Sequence, residues 1–90
     1  MAKRGKLEII RDILKIIQEN HNSIKPTPLL RKSNISSIRF KEYFSELIEK
    51  EFIKEVVDKK EEKFISLTDK GFKFLEKYKT IVSFIDEFEL

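Results

Sequence analysis

TPLLRKSNISSIRFKEYFSELIEKEFIKEVVDKKEEKFISLTDKG, residues 27 to 71, decides the fold. Thr27-Pro28 reads as a helix start. A threonine at the cap accepts hydrogen bonds from free backbone N–H groups, and proline suits the first helical turn. The helix it opens is short, Pro28 to about Lys32, with Leu29 and Leu30 as its apolar contacts. Ser33-Asn34-Ile35 turns the chain, and Ser36 can cap a further helix from about Ser37 to Lys50. Two capped helices so closely spaced are a helix-turn-helix signal. Phe40, Phe44, Leu47 and Ile48 share one face of the second, which should pack inward. Phe52 to Val57 and Lys63 to Leu67 are β-prone runs around the charged turn Asp58 to Glu62, hence a hairpin. Leu67-Thr68-Asp69-Lys70-Gly71 closes the stretch, with Thr68 as the cap of a last helix.

Upstream, Leu7, Ile10, Ile13, Leu14 and Ile17 fall at helical spacing, widened by Ile9 and Ile16, and predict a helix over Lys6 to Glu19. Asn20-His21-Asn22-Ser23 breaks it with turn-forming residues. The order is therefore α-α-α-β-β-α, mainly α with a small β-hairpin, a winged helix-turn-helix. Downstream, Phe74, Tyr78, Ile81, Ile85 and Phe88 repeat in steps of four and three, the spacing of a coiled-coil seam. Phe72, Leu75 and Val82 lie roughly 80 to 160 degrees away at 3.6 residues per turn. We expect those three to cover the chain's own wing and the seam to meet a second copy. On that reading residues 1–67 form the winged helix and residues 68–90 a dimerisation helix.

Nothing catalytic competes. The chain has one histidine, His21, no cysteine and two glycines, so no zinc site, thiol nucleophile or glycine-rich phosphate loop is expected, and no cofactor, metal or small-molecule ligand. Its apolar runs are too short to span a membrane and its start lacks a signal-peptide stretch, so a soluble cytoplasmic protein is expected. Nineteen basic against sixteen acidic residues leave only +3. The distribution is more informative: residues 1–44 carry ten basic and four acidic side chains, residues 45–90 nine and twelve. A polyanion would meet the N-terminal half.

The chain resembles the small archaeal winged-helix DNA-binding proteins that dimerise through a C-terminal helix. The resemblance rests on Lys6-Leu7-Glu8-Ile9-Ile10, Thr27-Pro28-Leu29-Leu30, Asn34-Ile35-Ser36, Tyr43-Phe44 with Leu47-Ile48, and Leu67-Thr68-Asp69-Lys70-Gly71 with Phe74-Leu75 and Tyr78. It implies a homodimer that binds double-stranded DNA. One departure stands out: the related pattern carries glycine after helix 3, and here Glu51 stands there, so either the helix ends differently or Glu51 is strained.

Base reading needs donors that reach base edges, with a surrounding set that holds phosphates. Ser36, Ser37, Arg39 and Tyr43 avoid the packed face of helix 3. Arg39 suits a guanine or a phosphate, Ser36 a base or the helix cap, and Tyr43 a phosphate or a half-buried core position. Lys3, Arg4, Lys6, Arg31, Lys32 and Lys41 are phosphate candidates. Lys59, Lys60 and Lys63 lie on the wing, where Asp58, Glu61 and Glu62 dilute their charge. The leading expectation is a homodimeric transcription regulator with helix 3 in the major groove. The alternatives are an architectural, chromatin-like protein or a winged helix that binds other proteins.

Overall fold

A computed structural model describes residues 5–89; Lys3 and Arg4 lie outside the described residues. The elements are α1 (Lys6–Glu19), α2 (Pro26–Ser33), α3 (Ser37–Glu49), β1 (Ile53–Val57), β2 (Lys63–Leu67) and α4 (Asp69–Glu87). The core gathers Ile9, Ile13, Leu14 and Ile17 of α1 with Leu29, Leu47, Ile53, Ile65 and Leu67. The stripe expected on α1 is buried, except that Leu7 stays 59% exposed. Leu7 lies in the first turn, about 90 degrees from the stripe's midline, beyond the cover of the other elements.

Helix α2 begins two residues before the expected start. Ile24 and Ile65 exchange both backbone hydrogen bonds, at 3.2 and 2.7 Å, and hold the chain extended beside the hairpin. The backbone is still extended at Lys25 and turns helical at Pro26, whose ring sets φ and whose missing N–H is no loss at a first helical position. Thr27 is therefore inside the first turn, and no side chain caps this helix. Asn34 ends it with a left-handed backbone (φ 57°), a conformation asparagine tolerates. Ser36 then caps α3, its Oγ accepting from the Arg39 amide at 3.3 Å.

The strands pair antiparallel in the register Ile53–Leu67 to Val57–Lys63. Their loop is organised by Asp58, whose Oδ1 accepts from the Lys60 and Glu62 amides at 2.9 and 2.8 Å. A second tie joins the hairpin to the α1–α2 turn. Asn22 accepts from the Leu67 amide through its Oδ1 and from the Ser66 hydroxyl through its backbone oxygen, each at 2.7 Å.

Every residue of Leu67-Thr68-Asp69-Lys70-Gly71 has a contact or a position that explains it. Leu67 is core. The Thr68 hydroxyl accepts from the Gly71 amide and donates to the Glu51 carbonyl. Asp69 places a carboxylate in the first turn of α4, where the helix dipole favours it. Lys70 donates to the Lys50 carbonyl at 2.8 Å, capping α3, with its ammonium 4.9 Å from the Phe52 ring centre. At Gly71 an added Cβ would lie 2.3 Å from the Phe52 carbonyl oxygen, so only glycine lets α4 start this close. The departure at Glu51 is also resolved. The Glu51 amide bonds the Ile48 carbonyl and the Phe52 amide the Leu47 carbonyl, with Glu51 at φ 61°. The helix ends as it would with glycine, and glutamate bears the left-handed strain.

The regular seam on α4 divides in two. Phe74 packs edge-on to Phe52 (5.4 Å between ring centres) and stacks on Tyr78, whose ring lies 5.5 Å from the Arg11 guanidinium. Those two aromatics are half-buried within their own chain. Ile81 and Phe88 are 57% and 59% exposed and Ile85 is also exposed, and Phe84, which lay outside the expected seam, joins them at 53%. Of the three residues expected to anchor α4, only Leu75 packs against the core, while Phe72 and Val82 are exposed. Helix α4 thus packs as part of a winged helix, and its packing within one chain does not indicate a coiled coil among the described residues. No helix among them is long and apolar enough to cross a membrane.

Candidate nucleic-acid interface

Helix α3 turns one face inward through Phe40 and Leu47, with Phe44, Tyr43 and Ile48 half-buried beside them. The opposite face carries Ile38, Glu42, Ser45 and Glu49, all exposed. At about 100 degrees per residue those four fall within roughly 60 degrees of one another, a straight strip along the helix. Ile38, at 74% exposure, is the most exposed side chain among the large exposed apolar residues. The strip holds no cation. Arg39 lies roughly 80 degrees to one side of its midline and Lys41 roughly 80 degrees to the other.

Each flank continues into a neighbouring element. Lys41 shares a shallow groove with Pro26, Phe40, Phe44, Glu55 and Lys63, joining α3 to the start of α2 and to the wing. The Arg39 guanidinium lies 6.0 Å from the ring centre of Tyr43. On the same flank as Arg39, roughly 20 degrees from it around the helix, Glu46 accepts from Lys6 of α1 at 2.8 Å. That hydrogen bond, with a second from Lys50, holds the Glu46 carboxyl below the usual glutamate range and raises Lys6.

The expected site residues thus fall into groups. Ser36, Ser37, Arg39 and Lys41 are all exposed at the start of α3, with Arg39 and Lys41 on opposite sides of the strip. Tyr43 is half-buried, as one of its two readings required. Arg31 and Lys32 are exposed on α2, and the Lys32 ammonium donates to Asn20 Oδ1 at 3.1 Å. On the wing, Lys59 and Lys60 sit at the tip, whereas Lys63 pairs with Glu55 at 3.5 Å. Lys6 is held by Glu46 and is not a free cation. Sequence reading passed over Ile38 and Glu42. Their signal was legible, because both lie roughly 160 degrees from Phe40 around the helix. Among the described residues no group of acidic or histidine side chains could hold a metal ion.

A profile described as winged helix-turn-helix matches residues 3–85 of the chain. No protein of curated function matches it. Among solved structures, the fold is similar to Sso10a-2, a DNA-binding protein from Sulfolobus solfataricus, with a TM-score of 0.74 at 17% identity, over 96% of this chain and 86% of that one. It is also similar to F-93 of SSV1, with a TM-score of 0.66 at 24% identity, over 96% of this chain and 99% of that one. At such identities the likeness is one of fold.

Proposed function

The chain belongs to the winged helix-turn-helix family, and from that premise we propose that it binds double-stranded DNA, laying α3 in the major groove, as a homodimer joined through α4. The carrying observation is the exposed face of α3 with Arg39 on one side and Lys41 on the other, the glutamates nearest them, Glu46 and Glu55, being paired with Lys6 and Lys63. A B-form major groove admits one α-helix, with phosphates along both walls. Arg31, Lys32, Lys59 and Lys60 extend the cationic margin and act as phosphate contacts that set position without reading sequence. Lys6 joins them only by giving up Glu46. A cytoplasmic, DNA-associated location follows from this reading.

The division of labour is residues 1–67 for the duplex and 68–90 for pairing. Support for pairing comes from Ile81, Phe84, Ile85 and Phe88, a contiguous apolar end of α4 left uncovered by its own chain. Surfaces of that kind mark interaction sites. Phe74 and Tyr78 contribute at most their outer edges, because their rings are engaged within the chain. Two copies paired there would hold two α3 helices at a fixed separation.

The likeness to a protein described as DNA-binding favours a general duplex-binding, architectural protein at least as much as a regulator of particular genes. A mobility-shift assay on random-sequence duplex across a salt series tests the common reading. Binding should fall steeply as salt rises, through release of counterions from the phosphates. Absence of binding at low salt overturns it and leaves the protein-interaction module. Selection of bound sites from a random pool then separates regulator from architectural protein.

A further inference from the structure

The strip along the outer face of α3 is ill suited to phosphates. It presents an isoleucine, a serine and two glutamates, and its cations stand to either side. Laid against a phosphate row, Glu42 and Glu49 would repel it. Laid along the groove floor, the same strip meets base edges while Arg39 and Lys41 reach the walls. The floor carries one apolar group, the 5-methyl of thymine, and side-chain carbon atoms are its usual partner. Ile38 is 74% exposed and stands in the first turn of α3, the part of a recognition helix that enters deepest. It is not among the residues packed against the core, and it borders a shallow groove with Pro26, Leu30 and Phe40.

Resting on the duplex-binding reading above, we infer that Ile38 is a specificity-determining residue that packs on the 5-methyl group of a thymine. Removing that methyl from the duplex and removing the side chain from the protein are then two ways of deleting one contact. Burying a methyl contributes about fourfold in affinity, and about fifteenfold if both half-sites of a dimer use it.

The test compares a short A·T-rich duplex with the same duplex carrying deoxyuridine at every thymidine position. The unaltered protein and Ile38→Ala are titrated against both by fluorescence anisotropy, with circular dichroism confirming the fold of the variant. The expected result is a four- to fifteenfold loss for the unaltered protein on the uracil duplex. Ile38→Ala should bind both duplexes alike, at about the strength of the unaltered protein on uracil. Equal binding of both duplexes by the unaltered protein overturns the inference and leaves the duplex-binding reading intact. An equal loss for both proteins on the uracil duplex also overturns it, since the methyl would then act through duplex shape. Failure to bind either duplex at low salt refutes the duplex-binding reading itself.

Discussion

Replacing Gly71 by alanine should destabilise the protein by about 1–3 kcal/mol, although the same change in an open helix stabilises. Alanine is favoured over glycine in a helix interior by about 1 kcal/mol. At position 71 the added carbon would lie 2.3 Å from the Phe52 carbonyl oxygen and 3.3 Å from a Leu67 methyl. Carbon–oxygen contacts settle at about 3.3–3.6 Å, so α4 and the start of β1 must part by about 1 Å. The oxygen cannot swing away, because it belongs to the backbone and accepts from the Thr68 amide at 3.1 Å. Parting the two segments stretches that bond and the one the Thr68 hydroxyl donates to the Glu51 carbonyl, and losing such a bond costs about 1 kcal/mol. Overpacking adds about 1–3 kcal/mol. Together they exceed the helical gain. Urea unfolding followed by circular dichroism should show a lower midpoint with an unchanged slope. A midpoint equal to or above that of the unaltered protein refutes the close approach described here.

Glu51→Gly should act in the opposite sense, raising stability by about 0.5–1 kcal/mol, since glycine takes the left-handed backbone without the side-chain penalty; unfolding by urea reads this directly. The Glu46 carboxyl should titrate below the usual glutamate range in NMR, because it accepts hydrogen bonds from Lys6 and then Lys50, and Lys6→Met should move it upward. A group with a lowered folded pKa stabilises above its unfolded value and loses that contribution as pH falls through the folded one, so the two proteins should converge in stability in acid. Ile81→Glu combined with Ile85→Lys should give a folded monomer that binds duplex far more weakly, because two linked half-site contacts multiply affinity. Sedimentation of the unaltered protein as a monomer at tens of micromolar would count against pairing through α4.

Much of the fold was legible because its signals are local. The bounds of α1 follow from isoleucine and leucine spacing, Ser36 and Thr68 both cap as expected, and the hairpin follows from two β-prone runs about Asp58. The start of α2 was misread because Pro26 and Thr27-Pro28 both suit a helix start. The choice is made by the Ile24–Ile65 bridge, which joins residues far apart in sequence. Periodicity on α4 likewise detects apolar faces without saying what covers them, so it merged Phe74 and Tyr78, packed in their own chain, with Ile81 and Phe88, left open. The cationic candidates were visible as charges. That Lys6 is engaged by Glu46 and Lys63 by Glu55 depends on tertiary neighbours that no spacing rule supplies.

The tie between Asn22 and the end of β2 has a kinetic meaning. Asn22 and Leu67 stand 45 positions apart, and their bond closes a loop that contains α2, α3 and β1. Helices form on their own within about a microsecond, but contacts so distant in sequence must wait for chain ends to meet. The orientation of α3 should therefore be fixed late, as the loop shuts. The Leu67 amide should consequently exchange its hydrogen only when the whole domain opens, while amides near Phe84 and Ile85 exchange by fraying. A ligand held by α3 alone should then slow exchange at Leu67, far from any atom it touches, because it binds only the folded domain and so makes global opening rarer.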